Sequence, residues 1–411
     1  MPRQLCPQSN RLLQKGNKSD GMRILFAITL FSPSRIYGGP ATVALNLARE
    51  LVKRGHDVTV VTSDVLTLHP RQHVAARDAE MDGVRIKYFP TWIFLPRFSA
   101  LISFELWKWL KQSIKNYDVV HVHFARDWIP VAVAREAIRQ TVRVFLQPHG
   151  MLGRTDGFRK YLDMLIIGRL LNHATAVLPL QETEERIIAS TAPHAKSLIL
   201  PNGVNIQSAD KRWNVDALSR RSVLFLARLH PRKRVIFIIE AAKLLKKTGR
   251  GIRFRIVGPD EGDLPRAQQC VKEYGLENSV EFIGPLAHEQ VVQEFMKASI
   301  YILPSVDEPF PMTVLEAMAL GVPTIVTEGI HIRDLLERSK AAMVVPANSE
   351  SIAAGVLEIF ANPGLATQLS ENGRRLIANE LTIDKVVTRL ERIYQGVTAD
   401  VSTARTHAVI G

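Results

Sequence analysis

Between Ile300 and Val326 the chain reads IYILPSVDEPFPMTVLEAMALGVPTIV, which sets two glutamates, Glu308 and Glu316, on either side of a helix start. Ile300 to Leu303 reads as a short buried strand, Pro304 to Pro311 as a turn, and Met312 to Leu320 as a helix. Pro311 suits the first helical position, because its fixed φ matches the helix and the N–H it lacks would have had no intrahelical partner. The amides of Met312 and Thr313 are then unpaired donors, and with the helix dipole behind them they make a site for phosphate oxygens. Glu316, one turn inside, can accept hydrogen bonds from a sugar's vicinal hydroxyls. Glu308, in the turn with Phe310, faces the same mouth. Either acid alone is also what a helix dipole selects at a strand–turn–helix junction; the whole string points to a ligand.

Four other segments carry chemistry. LFLARLHPRK ends a strand and leaves Arg228 and Lys233 in the loop before a helix, two cations that can neutralise a diphosphate without a metal. RIVGPD runs a strand into Gly258, where the missing side chain lets a ligand's base or ribose approach the backbone. YGGPA places Gly38 and Gly39 between the first strand and its helix, with amides that can approach a phosphate or an acceptor. QPHGML presents His149 just past the carboxyl end of a strand. His121 and His123, in VVHVHF, share one strand face by the period of two and read as core or rim packing. No H-e-x-x-H pattern, paired C-x-x-C or acidic metal pair occurs, so no metal is called for. The absence of G-x-G-x-x-G after a strand, and of a Walker loop, argues against a dinucleotide enzyme or an NTPase.

The string from Glu308 to Glu316, followed by AMALGVP, resembles the E-x7-E signature of retaining glycosyltransferases of the family-4 type, which have the GT-B fold. The resemblance runs from about Met22 to about Gln395. It implies an α/β fold of two doubly wound, Rossmann-like parallel-sheet domains facing a cleft. It also implies that Glu308 and His149 lie at the transferred sugar and that Glu316 holds the ribose. Arg228 and Lys233 take the diphosphate, Gly258, Phe310, Met312 and Thr313 line the donor site, and the loop of Gly38 and Gly39 reaches it from the acceptor side. Where the family often has Gly after the lysine, this chain has Arg234.

With 411 residues, 46% hydrophobic and 23% charged, the chain is long enough for two to three domains. No apolar run approaches the ~20 residues of a membrane span, and residues 2–20 lack a signal peptide's apolar segment. Cys6 and Cys270 form no disulfide framework. The net charge of +13 is unevenly shared: residues 1–205 carry 27 Lys and Arg against 16 Asp and Glu, residues 206–411 carry 26 against 24. A basic first half suits an anionic membrane surface or a lipid-phosphate acceptor, and without a basic helix interleaved with stacking aromatics or a known module, nucleic acid is not expected. The segment from Trp92 to Tyr117, with Phe94, Phe98, Phe104, Trp107 and Trp109 among Arg97, Lys108, Lys111 and Lys115, reads either as an interfacial helix or as an internal one with a polar rim. Phe158 to Leu171 shares that ambiguity.

Strands alternate with helices through both halves. In the first they read at Arg23 to Thr29, Asp57 to Thr62, Val84 to Phe89, Val119 to Val122, Val142 to Leu146 and Ala176 to Leu178, with a first helix from about Ala41 to Arg54. In the second they read at Val223 to Phe225, Phe254 to Val257, Val280 to Ile283, Ile300 to Leu303 and Thr324 to Val326, and from about Ser349 only helices follow. The expected division is a mobile tail (1–21), two sheet domains (22–205 and 206–380), a helical segment (381–397) and a tail (398–411). The resemblance implies that the first domain is the acceptor side, that the second binds the nucleotide sugar and that the helix at 381–397 crosses back to the first. Met22 is a possible start.

The expectation is a metal-independent glycosyltransferase moving a sugar from a nucleotide-diphosphate donor to a glycan or lipid-linked acceptor for cell-surface polysaccharide. It would work in the cytoplasm, peripheral to the inner face of the cytoplasmic membrane. Two alternatives stay open: a nucleotide-sugar epimerase, which would need no acceptor, and a non-catalytic partner of a polysaccharide machine, in which the loss of Glu308 would leave activity unchanged.

Overall fold

The computed structural model describes residues 21–34, 38–68, 71–93, 101–153, 163–205 and 212–396. Two parallel sheets organise it. In the N-terminal lobe the strands lie side by side in the order Ala176–Val177, Val144–Gln147, Val119–His123, Arg23–Ala27, Asp57–Ser63, Val84–Phe89 and Asp78–Met81. In the C-terminal lobe the order is Val280–Gly284, Arg253–Val257, Ser222–Leu226, Ile300–Leu303, Thr324–Thr327 and Met343–Val345. Counted along the chain, the parallel strands of each lobe follow the doubly wound order 3-2-1-4-5-6, so each sheet has a switch point where the connections diverge and leave a crevice at the carboxyl ends. One crevice lies beyond Arg23–Ala27 and Val119–His123, the other beyond Ser222–Leu226 and Ile300–Leu303. Near-continuous apolar strands such as ILFA and VLFL are what helices covering both faces require.

Several expectations change. Asp78–Met81 pairs antiparallel at the edge of the N-terminal sheet, a short polar strand with no long apolar run to betray it. Val65–Leu68 pairs with Arg71–His73, and Trp92–Ile93 with Leu101–Ile102, in small antiparallel ladders. Met343–Val345 adds a sixth strand to the second sheet. The first helix spans Gly38–Lys53, three residues earlier than expected, so Gly38 and Gly39 open the helix instead of preceding it. The Trp92 to Tyr117 segment divides into strand and helix: in Phe104–Ser113, Leu106 and Leu110 are core while Phe104 and Trp107 are exposed. Trp109 packs on Phe89 and Tyr117. Phe94, Arg97, Phe98 and Phe158 lie outside the described residues, as do both chain ends and part of the expected joint.

The last helix, Ile383–Gln395, packs on the N-terminal lobe. Thr382 caps it through Lys385 N, Asp384 sits in its first turn, and Gly396 ends it at φ 78°. Ile383, Val386, Val387, Leu390, Ile393 and Tyr394 fall on one helical face and join the core around Phe26 and Val60. At roughly 1.5–3 kcal/mol per large apolar side chain, this face contributes on the order of 10 kcal/mol gross. Arg54 adds bonds to Glu391 at 2.6 Å and Asp384 at 2.5 Å. The two chain crossings between the lobes run together: Val204 N donates to Leu381 O at 2.8 Å and Ile383 N to Val204 O at 2.9 Å. A Cβ at Gly203 would strike Ile383, so that position needs glycine for close backbone approach.

Candidate active site

The crevice of the C-terminal lobe is walled by the loop after Ser222–Leu226 and the loop after Ile300–Leu303. These loops are bonded to one another: Val306 N donates to Arg232 O at 3.0 Å, and Arg232 donates to Asp307 O. Across the same gap Lys233 Nζ lies 2.5 Å from Glu308 Oε2, with the two side chains 15% and 14% exposed. This ion pair is largely shielded from water, so breaking it by removing one partner would leave a charge uncompensated. Arg228, at 52% exposure, donates to both oxygens of Glu261 at 2.8 and 2.9 Å. Such an exposed pair holds weakly, at about 0–1 kcal/mol. Both cations assigned to a diphosphate are thus matched by acids, one firmly and one loosely.

Arg234 adopts φ 53°, ψ 41°, the left-handed conformation a glycine takes without strain. The loop thus keeps a conformation suited to glycine while carrying an arginine, at a cost of roughly 1–2 kcal/mol. Its guanidinium lies 5.6 Å from the Phe237 ring centre.

The helix bounded by Met312–Ala319 has Pro311 as its N-cap, at φ −79° and ψ 96°, where the sequence had suggested the first helical position. Val314 N and Leu315 N turn back to Pro311 O, whereas a proline cap offers no side-chain acceptor to Met312 and Thr313. Thr313 Oγ1 is 2.6 Å from the hydroxyl of fully buried Tyr301, which fixes the first turn against the strand before it. Glu316 is half-buried, and loss of solvation pushes its pKa up to about 7.

Two assigned residues have different reasons for being what they are. Phe310 is 7% exposed and belongs to the C-terminal core, so its side chain anchors the loop. Gly258 has φ 145°, and a Cβ there would run into the carbonyl of Ala227. Its missing side chain makes room for the chain's own backbone at Ala227.

In the N-terminal lobe Gly39 is exposed, with no atom of the described residues near the position of a Cβ, and stands with Gly38 at the start of its helix. His149, 8% exposed and at φ 54°, turns its ring inward, where Nε2 lies 2.7 Å from His123 Nδ1. His123 stacks on His121, whose Nδ1 is 2.5 Å from Tyr394 Oη and whose Nε2 is 3.1 Å from Gln147 Oε1. With Gln147 Oε1 accepting, His121 carries its proton on Nε2 and accepts from the tyrosine. Burial lowers all three imidazoles: His121 to about 4, His149 to about 3, and His123 well below its ordinary value. Burial therefore favours the neutral form of each. His149 Nδ1, His123 Nε2 and Gln147 Nε2 are buried with no partner among the described residues.

The lobes meet beside these groups. A Cβ at Gly150 would overlap the ring of Pro309, next to Glu308. Gln181 Nε2 is 3.3 Å from His331 Nδ1, and His331 Nε2 is 2.9 Å from Asp307 Oδ1. Glu261, Glu184 and His331 escaped sequence reading, since none lies in a motif and their partners are distant in the chain; Gln147 opens the QPHGML segment but was given no role. A cavity of about 320 Å³ bordered by Ser222, Arg253, Val280 and Lys297 opens at the amino ends of the C-terminal strands, away from the crevice.

Two family models divide the chain: Glycosyltransferase Family 4 over residues 37–208 and Glycosyl transferases group 1 over residues 208–376. Together with the paired doubly wound sheets they place the chain in the glycosyltransferases of GT-B fold and family-4 type. An uncharacterized glycosyltransferase of Methanocaldococcus jannaschii is 24% identical over 90% of this chain and 97% of its own length. The putative colanic acid biosynthesis glycosyltransferase WcaL of Escherichia coli is 28% identical over 59% of this chain and 61% of its own. Among solved structures, Anabaena Alr3699/HepE in complex with UDP superposes with a TM-score of 0.73 at 16% identity, covering 91% of this chain and all of that one.

Proposed function

We propose that the protein is a retaining hexosyltransferase that moves a sugar from a nucleoside diphosphate sugar to a glycan or lipid-linked acceptor in cell-surface polysaccharide synthesis. The observation that carries this reading is the Lys233–Glu308 pair, which joins two crevice loops beside a helix start capped only by proline. In the transfer, the bond from the anomeric carbon to the diphosphate oxygen breaks with its electrons going to the diphosphate. The acceptor oxygen bonds to that carbon and its proton is released. Charge grows on the departing diphosphate, where Arg228, Lys233 and the amides of Met312 and Thr313 stabilise it without a metal. Lys233 then turns from Glu308 toward the phosphates, leaving Glu308 to the sugar's hydroxyls. Glu316 takes the ribose, His149 meets the sugar from the opposite lobe, and the Gly38–Gly39 helix start faces the diphosphate and acceptor.

The UDP in HepE and the polysaccharide named for WcaL support the donor and pathway classes. Retention and the hexosyl group rest on the family resemblance. Among the described residues no helix is long and apolar enough to cross a membrane. Exposed Phe104 and Trp107, with Lys111 3.4 Å over the Trp107 ring, support contact with an anionic bilayer at the inner face of the cytoplasmic membrane.

Thermal shift with UDP-, GDP-, ADP- and dTDP-sugars tests the donor, since a ligand at 100 times its Kd adds about 2.7 kcal/mol. Turnover of the donor with acceptor extracts, anomeric analysis of the product by NMR and persistence after EDTA follow. An inverted product would end the retaining assignment. Donor isomerised without acceptor would favour an epimerase, and binding without any turnover a non-catalytic role.

A further inference from the structure

Two consecutive residues at the tip of the N-terminal lobe, His149 and Gly150, have φ values of 54° and 75°. A histidine in the left-handed region costs free energy, so the surrounding structure must hold the turn in place. Glu184 is the group that reaches it. Its carboxylate is 2% exposed, with Oε1 accepting from Gly150 N at 2.5 Å and Oε2 accepting from Leu180 N at 2.7 Å. Leu180, although it follows the N-terminal sheet in sequence, packs its side chain in the core of the C-terminal lobe. One buried anion therefore fastens the histidine turn to a residue rooted in the opposite lobe.

The turn is held from the other side by Pro309, which occupies the space a Cβ of Gly150 would need. Glu184 is placed for this by its own helix, Glu182–Thr191, whose first amides bond to Gln181 Oε1. Only a carboxylate suits the position. Two amides approach from two chain segments, each needs an acceptor, and a glutamine would turn a donor toward one of them. Burial pushes the Glu184 pKa up while the two amide bonds favour the anion.

We propose that Glu184 is a positioning residue for sugar binding: it sets the His149–Gly150 turn against Pro309, and so fixes where His149 stands relative to the Glu308 loop. The inference rests on the proposed function, because it assumes that His149 serves a sugar. It predicts that Glu184 affects the sugar half of the donor and leaves the diphosphate half alone, since its two bonds go to Gly150 N and Leu180 N and to none of the groups assigned to the diphosphate.

The test is calorimetric. The nucleotide sugar giving the largest thermal shift and its parent nucleoside diphosphate are titrated into the full-length protein and into Glu184→Gln, His149→Ala and the double variant. For Glu184→Gln the expected result is a nucleoside diphosphate Kd within twofold of the parent protein and a nucleotide-sugar Kd weakened about fivefold or more. His149→Ala should show the same split, and the double variant should be no weaker than His149→Ala alone, the non-additivity of groups acting as a unit. Glu184→Asp, which keeps the charge, should recover part of the loss.

Additive losses in the double variant would overturn the proposal, as would equal weakening of both ligands or an unchanged nucleotide-sugar Kd. An intact His149→Ala with an impaired Glu184→Gln would also overturn it, since the effect would not pass through the histidine. If the parent protein binds no nucleotide sugar, the proposed function itself fails, which is a different result from normal binding that Glu184→Gln leaves untouched.

Discussion

The two crevices have the same strand order and different electrostatics. Beyond Ser222–Leu226 and Ile300–Leu303, charges face one another, with Lys233 on Glu308 and Arg228 on Glu261. Beyond Arg23–Ala27 and Val119–His123 the polar groups are enclosed: three imidazoles lowered by burial and a glutamine, with the buried acids Asp127 and Glu184 bonded to Thr29 and to backbone amides. Among the described residues no cation faces these acids across the gap as Lys233 faces Glu308. Under the proposed function a diphosphate needs compensating charge, which the C-terminal crevice supplies, and a hydroxylated sugar needs oriented donors and acceptors, to which both crevices contribute. The difference also locates the strain. Arg234 in the charged crevice and His149 in the enclosed one both occupy left-handed conformations, each next to its proposed contact.

The strongest way to break this comparison is Lys233→Ala. It should lower kcat/KM by at least 100-fold and abolish stabilisation by the nucleoside diphosphate alone, about 3 kcal/mol by the usual conversion. Retained diphosphate binding in calorimetry would remove the charged half of the contrast.

Glu316→Gln comes next and reads stability. Because the folded pKa of about 7 lies above the ordinary glutamate value, the native state holds more protons than the unfolded chain between about pH 4.5 and 7. Stability therefore falls as pH rises through that window and is level above it, by up to about 3 kcal/mol. The glutamine variant should lose this slope and be the more stable protein at pH 8, while binding nucleotide less well. Urea unfolding at pH 5, 6, 7 and 8 decides it, and an unchanged slope would place the titration elsewhere.

His149→Ala should be milder, about tenfold in kcat with diphosphate affinity unchanged, and the rate should be flat from pH 5 to 8 as far as this neutral imidazole is concerned. A rate falling through pH 6.5 only in the histidine protein would show the ring to be charged. The smallest effect on chemistry belongs to the surface. Replacing Lys108, Lys111 and Lys115 with glutamate should leave turnover of a water-soluble acceptor within about twofold while abolishing co-sedimentation with phosphatidylglycerol vesicles, because exposed charges act mainly through long-range attraction.

Much of the architecture was legible because buried parallel strands advertise themselves. ILFA, VVHVH, VLFL and IYIL are apolar runs or nearly so, bounded by turns, and alternation with helices leaves few topologies open. The last helix was expected from the family resemblance; its cap at Thr382 and its end at Gly396 are local signals that the sequence reading did not use. Edge elements were not legible: Asp78–Met81 and Trp92–Ile93 are short and acquire strand geometry only from the partners that pair with them.

The chain's order by itself determined which chemical groups stand at the ends of which strands, because period, capping and turn residues are local properties that survive without the rest of the molecule. Arg228, Lys233, Glu308 and His149 could be placed on loops, and Glu316 one turn into a helix, for that reason. Only the tertiary structure decided how they are partnered: that Lys233 rests on Glu308, that His149 turns inward to His123, that Phe310 is core and that Gly258 makes room for Ala227. Glu184 shows why, since it lies more than 30 positions from Gly150, and no local rule links a buried carboxylate to an amide that the fold alone brings within 2.5 Å.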